Sequence, residues 1–166
     1  VRAERDAAIQ GKPAWISLRL NNLADEELIL ALCEASQAGA TVRILVRGMN
    51  CLMPGIPGIS DKLEVRGLVG RFLEHSRMLS MANGGKPRVW ITSGDWMSRN
   101  MDGRVEVACP IHEKKLRDRL LSEFEMQWKD TCNARVWNPD EANRRVQGAK
   151  FDSHVEIPKW LAGETD

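Results

Sequence analysis

Tyrosine is absent from this chain, and the aromatic fraction is only 5%, carried by six tryptophans and three phenylalanines. Stacking platforms of the kind that bind single-stranded nucleic acid are therefore scarce. No apolar stretch approaches the roughly 18 residues that a transmembrane helix needs. The opening residues, Val1-Arg2-Ala3-Glu4-Arg5-Asp6, are charged and carry no secretory signal. An initiator methionine is also missing, which a piece of a longer chain would explain and so would processing. Cysteines are few. Cys33, Cys51, Cys109 and Cys132 form no Cys-x-x-Cys pair, which argues against a zinc ribbon or disulfide framework and for a reducing compartment. His75, His112 and His154 are too scattered to outline a metal site. The P-loop spacing, the dinucleotide glycine pattern and the Gly-x-Ser-x-Gly elbow do not occur.

What is present suits a globular unit. At 166 residues the chain fits one domain, or one domain with an extended tail, and 43% hydrophobic residues suffice for a core. Net charge is +1, but its distribution is uneven. Between Arg43 and Arg104 ten Lys/Arg face five Asp/Glu, a local excess of +5 against −4 elsewhere. A localised anion site would produce this pattern, and so would a scattered solvated surface; charge alone leaves both open.

The residues up to Gln10 read as the end of a helix closed by Gly11. Ala14 to Leu20 alternates Ala14, Ile16, Leu18 and Leu20 with Trp15, Ser17 and Arg19, a strand pattern. Asn22 or Asp25 caps a helix to about Ala38, with Gly39 as its stop, and Thr41 to Val46 is a second, β-branched strand. A strand–helix–strand unit predicts a parallel pair. A Gly/Pro loop spans Gly48 to Ser60. Leu63–Leu68, Arg77–Met81, Arg88–Thr92 and, after a Ser93–Gly103 loop, Arg104–Ile111 are β-like, with Asn83-Gly84-Gly85 as a hairpin turn. Glu113 to Trp128 sets Leu116, Leu120, Phe124 and Trp128 four apart on one helical face. Beyond Asp130 the pattern weakens. The expected division is 1–12 as the end of a preceding helix or linker, 13–130 as the main domain and 131–166 as a tail packing on it.

Three segments carry candidate chemistry. Arg47, in Val46-Arg47-Gly48, follows a buried-type strand; ligands of open α/β sheets bind beyond the carboxyl ends of strands, and a guanidinium there can grip a phosphate. Gly70 to Arg77 sets His75, suited to proton exchange near neutral pH, between Arg71 and Arg77. Ser93 to Glu106 offers small polar residues and two guanidiniums, Arg99 and Arg104, for phosphate oxygens. Each also has an ordinary structural explanation as a strand end, a core histidine or a polar turn. Spacing alone reaches an anion-binding α/β domain with a candidate histidine.

Read together, the segments resemble the bacterial polyphosphate kinase family. In family order stand Asn22-Leu23-x-Asp25, Ala35-Ser36-Gln37-Ala38-Gly39, Val46-Arg47-Gly48 and Pro54-Gly55-Ile56-Pro57-Gly58. They are followed by Val69-Gly70-Arg71-Phe72-Leu73-Glu74-His75-Ser76-Arg77, Asn83-Gly84-Gly85, Asp95-Trp96-Met97-x-Arg99-Asn100 and Arg104-Val105-Glu106-Val107. The resemblance covers residues 9–136. It implies a phospholipase D-like α/β fold, a mixed β-sheet flanked by helices, as the last domain of such a kinase. It further implies reversible transfer of the terminal phosphoryl group of ATP to inorganic polyphosphate. That transfer would run through a phosphohistidine in the preceding domain, so the isolated domain is expected to be inactive. By motif position His75 corresponds to a second active-site histidine that donates a proton or hydrogen bond. Arg47 corresponds to a contact to nucleotide phosphates, and Arg104 to another, with Arg99 as the substitute. Arg71 and Arg77 complete the phosphate-binding set. No metal ligand is assigned here; Mg2+ would enter with ATP on ligands mainly outside these residues. The implied partners are ATP or ADP, polyphosphate, the preceding domains and further copies of the full protein, with no nucleic acid and no integral membrane segment. The implied location is the cytoplasm, with peripheral membrane association open to it.

Some positions depart from the family pattern: Arg19 where lysine is common, Cys33 where an aromatic is common, and Leu79-Ser80-Met81 where aromatics often sit. Without a tyrosine, any tyrosine stacking on adenine must come from elsewhere in the full protein. Two other functions compete. A phospholipase D-type phosphodiesterase would need Lys at position 77 and Asp at 82, where the chain has Arg77 and Ala82. A non-catalytic polyanion- or nucleic-acid-binding module would use the same basic stretch.

Overall fold

The computed structural model describes residues 1–140 and 143–163. Helix α1 (Arg2–Ile9) is followed by β1 (Trp15–Leu20), α2 (Glu26–Gln37), β2 (Thr41–Val46), β3 (Leu63–Leu68), β4 (Met78–Met81) and β5 (Arg88–Thr92). Then come α3 (Ser98–Gly103), β6 (Ala108–Pro110), α4 (Lys114–Trp128), β7 (Ala134–Val136), β8 (Arg144–Arg145) and α5 (Ser153–Ala162). Among the described residues the strands form one mixed sheet in the order β6-β5-β4-β1-β2-β3-β7-β8. β1, β2 and β3 run parallel in its middle, and antiparallel strands extend it on both sides. Asp25 caps α2 by accepting the Leu28 N–H at 3.0 Å, and Gly39 leaves the helix at φ +106°.

The alternation of β1 places Ile16, Leu18 and Leu20 with Val42, Ile44, Val46 and Val65 on one face, beneath Leu32, Cys33 and Ala35 of α2. Helix α4 covers the other face, where Leu45, Met78 and Val89 meet Phe124 and Trp128. The apolar row of α4 is not buried throughout: Leu116 is exposed in its first turn, and burial becomes complete only at Phe124 and Trp128.

Three expectations are corrected. The loop expected over Ser93–Gly103 contains helix α3. The β-like stretch from Arg104 joins the sheet only over Ala108–Pro110: Val105 projects into solvent, and Val107 meets only Ser93, just beyond the end of β5. The Asn83-Gly84-Gly85 connection does join antiparallel strands, but as a 3-10 turn inside a longer link. The stretch after Asp130, which carries no period in sequence, adds β7 beside β3 and sets α5 against α4.

Candidate functional site

The carboxyl ends of β1, β2, β3 and β5 meet at one edge of the sheet, where the chain leaves each strand in a polar loop. Asp95, after β5, sits at the centre and is 4% exposed. Its Oδ1 accepts the Asn21 N–H at 2.9 Å and Arg77 Nε at 2.8 Å; its Oδ2 accepts Asn22 Nδ2 at 2.9 Å and Arg77 Nη2 at 3.4 Å. Burial pushes this carboxyl up, but the bonds from Arg77, Asn22 and the backbone N–H groups of Asn21 and Asn22 outweigh it and hold the group at about 2. It is a carboxylate at neutral pH.

Asn21 carries the connection outward. Its Oδ1 accepts from Arg47 Nε, and its Nδ2 lies 3.5 Å from the His75 carbonyl, which Arg77 Nη1 also approaches at 3.4 Å. Arg47 and the His75 backbone are thus held by one short network. Gly48 is required here: a Cβ would lie 2.6 Å from Asn22 Oδ1 and 2.8 Å from the Asn21 carbonyl oxygen. Trp96 locks the neighbouring loops, since its carbonyl accepts the Ala24 and Asp25 N–H groups and its own N–H donates to Asn22. The Asn22-Leu23-x-Asp25 and Asp95-Trp96-Met97 blocks are therefore two halves of one tertiary joint.

Two groups of arginines stand on and around the parallel strands. Arg19, Arg43 and Arg66 line the α4 side of the parallel strands and are consumed internally. Arg19 Nη1 donates to Glu123 (2.7 Å) and Gln127 (2.6 Å), Arg43 pairs with Glu125, and Arg66 donates to the Trp128 carbonyl. Arg47 uses only Nε, which leaves both Nη groups of its half-buried guanidinium for a ligand. The Arg99, Arg104 and His75 side chains are exposed. Glu106 accepts Asn100 Nδ2 at 2.6 Å and the Ser93 hydroxyl and lies against Gly94, next to Asp95. The hydrogen bonds from Ser93 and Asn100 hold the Glu106 carboxyl below its usual range, with smaller help from Arg104 and Arg77. Arg77 spends three of its five N–H groups on Asp95 and the His75 carbonyl. Arg71 lies over the Phe72 ring, 5.2 Å from its centroid. The polar turn expected to offer backbone N–H groups is partly spent, because Ser93 N–H donates to Val107 and Trp96 N–H to Asn22.

Sequence reasoning missed Asn21, Asn22 and Glu106 as organisers, and quoted Asp95 only as part of a motif. A carboxylate following a strand, in a segment rich in arginine, was the available signal. A cleft of about 570 Å3 lined by Pro54, Ile56, Leu63, Trp137 and Pro139 is formed by other residues and shares none with this network. Among the described residues no cluster of three or more His, Cys, Asp or Glu could hold a metal, and no helix is long and apolar enough to cross a membrane.

Residues 1–156 match the family model for polyphosphate kinase C-terminal domain 2. The polyphosphate kinase of Pseudomonas putida is 44% identical over 140 residues, covering 84% of this chain and 19% of that protein. That of Thermosynechococcus vestitus is 42% identical over 162 residues, covering 98% of this chain and 22% of that protein. The crystal structure of polyphosphate kinase from Porphyromonas gingivalis aligns with a TM-score of 0.94 at 34% identity, over 98% of this chain and 26% of that chain. The phospholipase D family member Nuc from Salmonella typhimurium shares the fold alone, with a TM-score of 0.59 at 17% identity over 82% of this chain and 90% of that one. The chain spans about a fifth of the length of the curated relatives it matches.

Proposed function

The chain belongs to the polyphosphate kinase family, whose C-terminal domain 2 it carries, and from that premise we propose that its sheet edge forms half of a phosphoryl-transfer pocket. The reaction is reversible transfer of the terminal phosphoryl group of ATP to inorganic polyphosphate, through a phosphohistidine on a domain outside these residues. Phosphoryl transfer demands positioning and stabilisation of charge spread over the moving group's oxygens. Arg47 and Arg104 grip those oxygens, with Arg99, Arg71 and the remaining donors of Arg77 adding to the anion field. His75 donates a hydrogen bond or proton to the bridging oxygen or the nucleophile.

The observation that carries this reading is the network Arg47–Asn21–Asp95–Arg77, which also holds the His75 carbonyl. It fixes the orientation of a free guanidinium beside the histidine loop before any ligand arrives, so little reorganisation is needed on binding. Mg2+ would accompany ATP on ligands outside these residues. Asp95 already accepts bonds from Asn21, Asn22 and Arg77, and nearby Glu106 from Ser93 and Asn100, and no step here depends on the ion.

In the complete enzyme, Arg47→Ala, His75→Ala and Arg104→Ala should each raise the barrier by roughly 2–4 kcal/mol, about 30- to 1000-fold in turnover. None is part of the core, so thermal melting should move little. Steady-state kinetics beside a melting curve tests this; near-normal turnover in a folded His75→Ala enzyme sinks the assignment.

A further inference from the structure

Between β3 and β4 the chain runs from Val69 to Arg77 without regular secondary structure, and the side chains of Val69, Arg71, Phe72, Leu73, His75 and Ser76 are all exposed. A segment with so little burial should move, yet it carries the histidine. What holds its centre is His154, in the first turn of α5 and 4% exposed. The Phe72 N–H donates to its Nδ1 at 3.1 Å, which leaves Nε2 to carry the ring proton. Nε2 faces Glu74 Oε1 at 3.0 Å, a close approach without the alignment of a full hydrogen bond. The ring also lies against Phe72, centroids 5.6 Å apart. Both nitrogens and one face of this buried imidazole are therefore given to one loop.

The clamp has a firm base. The Asp130 carboxylate, fully buried, accepts the Ser153 N–H (2.8 Å) and hydroxyl (2.6 Å), the Asn133 N–H (2.6 Å) and Asn133 Nδ2 (3.1 Å). This binds the start of α5 to the end of α4. On the far side Glu74 accepts Gln127 Nε2 at 2.8 Å, and Gln127 in turn accepts Arg19. Gly70 passes so close that a Cβ would lie 2.7 Å from Asn133 Oδ1 and 2.8 Å from His154 Cε1.

We propose that His154 is a positioning residue: through Phe72 and Glu74 it holds the 69–77 loop so that His75 meets the transferring group, making α5 part of the working site. This rests on the reading of His75 given above. Arg47 hangs from Asn21 and does not touch His154, so nucleotide binding should be spared.

The test uses the complete enzyme with His154→Ala, His154→Asn and His154→Gln, followed by steady-state kinetics, melting curves and hydrogen exchange over residues 69–77. His154→Ala should lower kcat roughly 10- to 100-fold, as small misplacements do, with KM for the nucleotide changed less than about threefold. Exchange over 69–77 should accelerate. Asn can place an oxygen where Nδ1 stood and should restore both kcat and protection, whereas Gln, which reaches only toward Glu74, should not. Gly70→Ala should behave like His154→Ala. Unchanged exchange in His154→Ala overturns the clamp, and faster exchange with unchanged kcat overturns its part in turnover. His75→Ala assayed alongside separates the two ideas: if that enzyme turns over normally, the function assigned to His75 fails, while the exchange data still decide the clamp.

Discussion

At the scale of single residues, the side chain that organises the sheet edge is Asp95, a buried acceptor that no substrate need touch. Its folded value of about 2 lies below the ordinary 3.8. Its stabilisation is therefore complete above about pH 4 and fades as pH falls through about 2, contributing on the order of 1–2 kcal/mol after allowance for screening. Asp95→Asn should cost about 2–3 kcal/mol at neutral pH, because Arg77 loses its charged partner. The stability gap between wild type and variant should narrow between pH 4 and pH 2. Denaturant titrations at several pH values measure it; a gap that stays constant over that window would show that Asp95 is not the ionised centre described. Burial also pushes Asp130 up, and bonds from Ser153 and Asn133 again win, leaving it lowered. A variant comparison is needed to separate the two carboxylates.

At the scale of elements, the contact between α4 and the sheet joins an apolar patch to a row of ion pairs. Phe124 and Trp128 stack on each other, centroids 5.9 Å apart, and Arg43 lies over both rings. Alternation in β1 was legible, but its polar half was not readable as buried: Ser17 and Arg19 are 1% and 4% exposed because α4 covers them. Arginine in place of the more usual lysine has little consequence for bonding here. Only Nη1 donates, and Nε is buried without a partner. Arg19→Lys should cost less than about 1 kcal/mol, since one ammonium can serve both acceptors. Arg19→Ala should cost about 3–4 kcal/mol, because Gln127 and Glu123 then lose their donor beneath α4. Chemical denaturation compares them; equal losses would mean that the guanidinium itself, which both variants lack, is what α4 needs.

At the scale of the whole molecule, the proposed function makes the exposed groups near the sheet edge one half of a site. His75, Arg99 and Arg104 face outward, and exposed apolar side chains stand beside them: Leu73 is 73% and Val105 99% exposed. Water screens a lone charged group in such a position, so it gains little until a second surface excludes solvent. The 166 residues by themselves should bind polyphosphate or nucleotide weakly and show no ATP-dependent chain extension. Radiolabel transfer and calorimetry on the purified chain test this, and appreciable extension by it would contradict the proposed division of labour between domains.

The amino-acid sequence by itself determined the elements with a strong period or a clear stop: β1, β2 and β3, α2 between Asp25 and Gly39, and the apolar row of α4. Through the resemblance of its motif blocks to the polyphosphate kinase family it also singled out Arg47, His75 and Arg104 as site candidates. It was silent where structure depends on partners rather than period. Helix α3 is a short polar turn with no apolar face; β7, three residues long, forms on the edge of β3, and β8, two residues long, forms on the edge of β7. Only the tertiary structure decided that Asp95 holds Asn21 from 74 positions away, that Arg19 meets Gln127 across 108, and that His154 reaches Phe72 across 82. Local periodicity records which face a side chain takes, and says nothing about which distant group that face will meet.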